Sequence, residues 1–503
     1  MSETIAFQYY SASTNRTPGV FAEVDNSKAN TGTVNQRALL IGQMISSGSG
    51  AGIATPGVPI LSQGLGDAIT QCGLGSMLAL MLAKYRTLDQ FGEVWLLPLA
   101  DDPAATAATI TVTITAGPTA NGTVPLWVCG VPVPVLVTAG MTPAQVATAM
   151  QNAIAANTSL PVNEAVAGAV VTLTALNKGI AAGDIDVRIG YLGAIAGETI
   201  PAGLAWAIGS LTAGTQNPSL TTALTNCGDM LYDFICMPYT DAISLNAMDG
   251  FLSDSTGRWS WLKELFGGYF TAYRGTLATC QTFGLTRNGQ HGTCMPYTDA
   301  PEPVYEWAAA YCAASAVSIR ADPAQPIGGL EGGGVSLGVY APQQMANRWN
   351  RSQRNTLLYS GLSSFLVGDD GTVRVDRPAT FYQLNAAGAA DNSYFPLETP
   401  YQLQFGIRDV RAFLQSNFPR KVLVADGTPI APGSNRVTAQ TILYAVIGRY
   451  RYLCDNGPMQ DPDGFAKSAR AQNAGNGLVK LLLPFRLANQ LYQMALLVQF
   501  TKP

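Results

Sequence analysis

Residues 38–42 read Ala-Leu-Leu-Ile-Gly, an uninterrupted apolar run that is typical of a strand buried on both faces of a parallel sheet. Residues 74–85 follow with helical spacing, and a second apolar strand, residues 94–97, is expected to end at Pro98. The helix places four side chains on one face: Leu78, Met81, Leu82 and Tyr85. This strand–helix–strand order predicts an α/β core.

Between residues 105 and 215 the composition shifts to Thr, Ala, Gly and Val, with few charged residues. Thr142-Pro143 is typical of a helix start, so residues 144–156 are predicted to be a helix. The alternation of apolar and polar residues predicts strands at residues 110–115, 126–137, 170–175 and 185–189. We expect residues 105–215 to form a compact, β-rich domain inserted on the outside of the core.

A short internal repeat follows where the α/β pattern resumes. Cys-Met-Pro-Tyr-Thr-Asp-Ala occurs at residues 236–242 and again at residues 294–300, each time between an apolar strand and a helix. In each copy, proline is expected to end the strand and Thr or Asp to cap the next helix. The favoured interpretation is two similar turns. A ligand site at the carboxyl ends of two parallel strands is the alternative.

The pattern changes again after Asp376. Helices are predicted at residues 410–418 and 438–453, and strands at residues 478–483 and 492–500. The last strand places five apolar side chains on one face, very near the chain end: Tyr492, Met494, Leu496, Val498 and Phe500. Residues 376–503 are therefore expected to form a C-terminal α+β domain.

Residues 1–27 resemble an arm rather than a domain. Ile5, Phe7 and Tyr9 alternate with more polar neighbours, which favours a strand. A polar linker at residues 11–17 and a short strand at residues 20–24 follow.

Length and composition narrow the function classes. The chain has 503 residues, too many for one hydrophobic core. Only 12% of residues are charged, against about 25% in an ordinary soluble domain. Either much of the surface is buried against other subunits, or a large core lies beneath an uncharged polar surface. The net charge of −4 argues against electrostatic nucleic-acid binding. The sequence contains no uninterrupted apolar run of about 20 residues, so no membrane span is predicted.

The residue types that carry most enzyme chemistry are sparse. His291 is the only histidine, at the entry to a predicted strand, and a structural role is expected for it. The eight cysteines show no C-x-x-C spacing, which favours buried, reduced thiols in a protein made in a cytoplasm. The glycine runs at residues 48–52 and 328–334 lack the Gly-Lys-Ser/Thr ending of a phosphate loop. We therefore predict no catalytic residues, no cofactor and no metal.

Several segments resemble, in order, the tail sheath proteins of contractile-tailed phages, in particular the Mu-like branch. The segments are Arg-Thr-Pro-Gly-Val-Phe at 16–21, Gly-Leu-Gly-Ser-Met-Leu at 73–78, Glu-Val-Trp-Leu-Leu-Pro-Leu at 93–99, Leu-Leu-Tyr-Ser-Gly at 357–361, Gly-Thr-Val-Arg-Val-Asp-Arg-Pro-Ala-Thr-Phe-Tyr-Gln at 371–383, and the ending at 491–500. One departure is Thr-Phe-Tyr at 380–382, where members often carry Thr-Thr-Tyr.

The resemblance implies a structural subunit that stacks as hexameric rings around a tail tube and contracts to drive the tube through the host envelope. It implies an arm and linker at 1–27, a sheath core at 28–104 and 216–375, and a C-terminal domain at 376–503 whose sheet is completed by arms of neighbouring subunits. The implied inter-subunit strand residues are Ile5, Phe7, Tyr9, Tyr492, Met494, Leu496, Val498 and Phe500.

The implied partners are further copies of the chain, the tail tube protein, and the baseplate and tail terminator proteins. No direct nucleic-acid contact and no membrane insertion are expected. The implied location is the virion tail, with assembly in the host cytoplasm. The alternatives are a soluble α/β enzyme, which should have a polar pocket, and another assembly protein such as a tail tube or surface-layer subunit.

Overall fold

The computed structural model describes residues 36–48, 50–431 and 433–502. Ile5, Phe7 and Tyr9, together with the rest of the arm at residues 1–27, lie outside the described residues.

The described residues form a mixed α/β structure with several sheets. The strands are β1 Ala38–Gln43, β2 Ile60–Leu61, β3 Val94–Leu99, β4 Thr109–Ala116, β5 Gly122–Val128, β6 Val131–Val137, β7 Val162–Ala167, β8 Val170–Ala175, β9 Val187–Ile189, β10 Ala205–Ile208, β11 Phe234–Cys236, β12 Gly268–Arg274, β13 Gly292–Tyr297, β14 Ser364–Val367, β15 Val373–Arg377, β16 Val422–Leu423, β17 Arg436–Val437, β18 Arg470–Asn473 and β19 Val479–Leu482. The helices are α1 Leu65–Cys72, α2 Met77–Leu88, α3 Pro143–Ala155, α4 Thr221–Asn226, α5 Ala242–Leu252, α6 Leu277–Leu285, α7 Val304–Ala321, α8 Arg351–Tyr359, α9 Glu398–Asn417, α10 Ala439–Asn456 and α11 Pro462–Ser468.

A six-stranded sheet in the order β13-β12-β11-β1-β3-β2 carries the core. Its strands pair in parallel except for β2, which is antiparallel to β3. Every residue of β1 is buried, as its uninterrupted apolar sequence predicts. The mixed α/β architecture predicted from the sequence is therefore confirmed.

Two prolines lie inside strands that they were expected to end. Pro98 is the fifth residue of β3, and Pro296 lies in β13, the edge strand. The Pro98 carbonyl accepts the Gly57 N–H at 2.6 Å, on the side away from β1. Because the nitrogen of a strand residue faces the same side as its carbonyl, the proline removes no hydrogen bond from the β1–β3 ladder.

Helices α2 and α7 pack on this sheet and against each other. Helix α2 begins three residues later than predicted, because the Ser76 side chain accepts the Ala79 N–H and caps it. The four side chains predicted for its inner face, Leu78, Met81, Leu82 and Tyr85, are all fully buried. Helix α7 is buried along almost its whole length.

Residues 105–215 contain two antiparallel sheets, β10-β4-β8-β7 and β6-β5-β9, with α3 packed between them. Their alternating apolar side chains form a cluster separate from the main core. The single strand predicted at 126–137 is instead the β5–β6 hairpin, which turns at Cys129 and Gly130 with φ of 49° and 79°. Strand β9 starts at Val187, two residues later than predicted. That residues 105–215 form a domain of their own stays a prediction.

The C-terminal part contains α9, α10, α11 and the β18–β19 hairpin around a third apolar cluster. The helix predicted at 410–418 begins earlier than predicted, at Glu398. Pro400 does not prevent this, because it lies in the first turn, where a proline is tolerated. Residues 492–500, predicted as a strand, carry neither helix nor strand. A strand needs a partner for its backbone groups, and the described part of the chain offers this segment none.

None of the helices in the described ranges is long and apolar enough to cross a membrane.

Candidate inter-subunit surface in the C-terminal region

The β18–β19 hairpin is a sheet of only two strands. Four residue pairs join it, from Arg470 opposite Leu482 to Asn473 opposite Val479. Its inner side packs Ala471 and Leu481 against the apolar cluster beneath, whereas Leu482 is 63% exposed. Within the described residues no third strand pairs with either edge. An isolated two-stranded sheet is marginally stable, so these edges can accept further strands.

The last residues of the chain expose an unusual amount of apolar surface. Leu496 and Phe500 are each 87% exposed, and Met494 and Val498 are also exposed. Leu497, on the opposite side of the alternation, is exposed as well. Contiguous exposed apolar residues of this kind typically mark a surface that binds another protein.

Tyr492 differs from the other four residues predicted for this strand. Its side chain is half-buried, and its hydroxyl donates a hydrogen bond of 2.5 Å to Glu398 Oε1. The Arg377 guanidinium carbon lies 4.9 Å from the centre of its ring. The five residues predicted to share one free face are therefore not equivalent: four are exposed, and Tyr492 packs against its own chain.

Glu398 is fully buried at the first position of α9. Besides the Tyr492 hydroxyl it accepts the backbone N–H of Ile327 at 3.1 Å. Burial raises the pKa of this carboxyl group, while the two hydrogen bonds favour its charged form. Sequence reasoning missed Glu398, because an isolated glutamate two positions before a proline carries no signal of burial.

A groove of about 980 Å³ lies beside Tyr492. The loop at residues 329–331, the first turns of α8 and the end of β15 form its walls together with residues 492–495. Two of its lining residues, Arg354 and Asp376, form an ion pair at 2.7 Å. The C-terminal segment thus leaves the subunit along the wall of an open groove.

The residues considered for chemistry have structural partners. His291 Nε2 lies 2.9 Å from Asp254 Oδ1, and its ring stacks on Trp259 with ring centres 4.3 Å apart. The described residues include no group of three or more His, Cys, Asp or Glu side chains that could hold a metal ion. Burial raises the pKa of several cysteine thiols, Cys280 among them to about 12, which leaves that thiol protonated at neutral pH.

The two copies of the repeat differ in structure. In the first copy Asp241 caps α5, accepting the Ser244 N–H at 2.9 Å, as predicted. In the second, Asp299 has a left-handed backbone and pairs with Arg188 at 2.9 Å, and α7 begins after Pro303 without a side-chain cap. The cap predicted for the second copy is therefore wrong, because Asp299 instead contacts Arg188 in the segment 105–215.

Comparison with known proteins identifies the family of this chain. Residues 213–380 match the family model described as the phage tail sheath protein central domain. The chain is 34% identical over 489 residues to the Mu-like prophage FluMu tail sheath protein of Haemophilus influenzae, covering 96% of this chain and 97% of that relative.

Solved structures are also similar. The sheath tail protein of Desulfitobacterium hafniense aligns with a TM-score of 0.48 and 13% identity, over 94% of this chain and 97% of that one. The sheath tail protein Lin1278 of Listeria innocua aligns with a TM-score of 0.47 and 12% identity, over 90% and 92%. On the near-full-length match to the Haemophilus relative, the chain belongs to the family of Mu-like phage tail sheath proteins, which are structural proteins of the virion.

Proposed function

We propose that this chain polymerises as stacked hexameric rings around a tail tube, and that the array contracts to drive the tube through the host cell envelope. Its partners are further copies of itself, the tail tube protein, and the baseplate and tail terminator proteins. It is assembled in the host cytoplasm and acts in the virion tail. No step in this proposal requires a catalytic residue, a cofactor or a metal.

The observation that supports polymerisation is that one subunit has both a sheet with unpaired edges and an exposed apolar segment. No other strand of the described residues pairs with either edge of the β18–β19 sheet, and the segment after Tyr492 carries exposed Met494, Leu496, Val498 and Phe500. Donation of that segment to the sheet of a neighbouring subunit satisfies both, because main-chain hydrogen bonds join the chains and alternate side chains fix the register. The N-terminal arm, with Ile5, Phe7 and Tyr9, is proposed to add in the same way.

The energetics of one donated strand are modest. Full burial of a large apolar side chain contributes about 1.5–3 kcal/mol, and each net hydrogen bond about 0.5–1.5 kcal/mol. Ordering the segment costs about 1–2 kcal/mol per residue. Each contact is therefore weak, and the repetition of contacts around and along the tube makes the polymer stable. Contraction then requires no nucleotide, because many subunits move together into an array of lower free energy.

The test is removal of the donated strand. A chain lacking residues 493–503 should keep the melting temperature of the subunit and lose the tubes seen by electron microscopy. Leu496→Asp keeps the main chain and should have the same effect, because it places a charge in the apolar face. Leu136→Asp, at a leucine on β6 that is 76% exposed, is the matched control and should leave assembly intact. Normal tubes from the truncated protein would refute strand donation.

A further inference from the structure

We propose that Tyr492 is a positioning residue, which fixes the point where the C-terminal segment leaves its own subunit and limits the donated strand to residues 493–503. This inference rests on the strand donation proposed above. It removes Tyr492 from the set of side chains offered to a neighbour and gives it a role inside its own subunit.

The chain that leads to Tyr492 is held by its own subunit. The Gln460 side chain donates to the Leu487 carbonyl at 2.7 Å, and the Gln402 side chain donates to the Ala488 carbonyl at 3.0 Å. The Ala488 N–H donates to the Pro458 carbonyl at 3.0 Å. Tyr492 follows with its bond to Glu398, and from Gln493 onward every described residue is exposed. The boundary between held and free chain therefore falls at Tyr492.

Glu398 makes this boundary a junction of three elements. One carboxylate oxygen accepts the N–H of Ile327, in the loop after α7, and the hydroxyl of Tyr492, while Glu398 itself begins α9. The positive end of the helix dipole favours an acidic residue at this position. Without the tyrosine hydroxyl, a fully buried carboxyl group loses its side-chain donor, which is costly.

Arg377 holds the tyrosine ring from the core side. Its guanidinium carbon lies 4.9 Å from the ring centres of both Tyr492 and Phe395. Arg377 is also the last residue of β15, paired with Ser364 of β14. Tyr492, the residue before the donated strand, therefore contacts the β14–β15 hairpin as well as α9, and it moves with the rest of its own subunit.

The fixed position of Tyr492 matters for donation because it sets how far the donated strand can reach. A fully extended chain spans at most roughly 3.3–3.6 Å per residue, so the described residues 493–502 alone can reach about 35 Å. Releasing Tyr492 lengthens the free chain, lowers the effective concentration of the strand at the neighbouring sheet and admits shifted registers.

The experiment compares Tyr492→Phe with the wild-type full-length chain. This substitution keeps the ring and removes only the hydroxyl. We expect amide exchange at Ala488 of the unassembled subunit, whose N–H donates to the Pro458 carbonyl, to rise at least tenfold, and the protein concentration needed for tube formation to rise several-fold. The control is Tyr444→Phe, at a tyrosine on α10 that is 69% exposed, which should change neither quantity. Glu398→Gln keeps an oxygen acceptor and should stay within about threefold of wild type in both.

The outcomes separate this inference from the proposed function. If truncation after Tyr492 abolishes tubes while Tyr492→Phe shows wild-type exchange and assembly, the positioning role is overturned and donation stands. If the truncated chain still forms tubes, donation itself fails, whatever Tyr492→Phe does. A general loss of melting temperature in Tyr492→Phe, with no local rise in exchange at Ala488, would also overturn the positioning role.

Discussion

At the scale of single residues, a buried group of charges links α2 to the start of α7. Lys84 Nζ lies 3.3 Å from Glu302 Oε1 and 4.0 Å from Glu306 Oε2. Burial raises the pKa of Glu306 from its ordinary 4.5 to about 8, with Glu302 adding to the rise and Lys84 opposing it. One lysine therefore serves two carboxyl groups, and Glu306 is predominantly protonated at neutral pH.

This pKa predicts how stability depends on pH. Between about pH 5 and pH 8 the folded state keeps a proton on Glu306 that the unfolded state loses, so the free energy of unfolding falls as the pH rises, by up to about 1.4 kcal/mol per pH unit. Glu306→Gln is neutral at every pH and should flatten that fall. Chemical denaturation of the chain truncated after Tyr492 measures it without interference from assembly, with the exposed Glu331→Gln as the control. Parallel pH profiles for Glu306→Gln and wild type would contradict the assignment.

Residue patterns predict which side chains share a face of an element better than they predict the distant residues that those side chains contact. The alternation at residues 492–500 predicts one shared face for five apolar side chains, of which Leu496 and Phe500 are each 87% exposed. It could not separate Tyr492, because the bond that holds Tyr492 is to Glu398, 94 positions away in the sequence. Contacts of that separation depend on how α9 and the chain end fold together, which periodicity does not encode.

At the scale of elements, the strands that matched their prediction best were those with regular alternation and clear ends, such as β8 at Val170–Ala175. The β5–β6 hairpin was missed because its turn is Cys129-Gly130 rather than the Asn-Gly or Asp-Gly typical of such turns. Both residues have positive φ, so the turn matches the twist of the strands, although only the glycine adopts it without strain.

The hairpin turn gives a prediction with a matched control. Gly130 has φ of 79°, and a Cβ there would lie 2.7 Å from Glu302 Cγ. Gly140 has φ of 86° with open space around it. Gly140→Ala should cost only the left-handed backbone strain, about 1–2 kcal/mol, whereas Gly130→Ala should cost about 1–3 kcal/mol more, because the methyl group overpacks against Glu302. Denaturant melts measure both; equal losses would mean that the turn does not pack tightly on Glu302.

At the scale of the whole molecule, residues 105–215 join the core through more than their two ends. The ends meet, since Thr106 and Thr215 form an antiparallel bridge and their hydroxyls lie 2.9 Å apart. Between them, however, the Asn177 side chain accepts the Met77 N–H at 3.0 Å, and Ala181 and Ala182 lie in the main apolar cluster. The composition shift indicated an insertion and could not reveal this contact, because Asn177, Ala181 and Ala182 look like the rest of the segment.

The last prediction therefore concerns the deletion of this segment. Because Thr106 and Thr215 are adjacent, a short glycine-serine linker can replace the residues between them without stretching the core. We expect the shortened chain to unfold cooperatively and to be a few kcal/mol less stable. The Met77 N–H loses its acceptor on Asn177, and the Arg274 guanidinium loses the Asp184 carboxylate, which lies 3.0 Å from it in the full-length chain. Asn177→Ala in the full-length chain isolates one part of that loss, about 1–3 kcal/mol. Calorimetry of both, on chains truncated after Tyr492, gives the comparison. If the deleted chain shows no cooperative transition while Asn177→Ala costs little, residues 105–215 are an integral part of the core rather than an inserted domain.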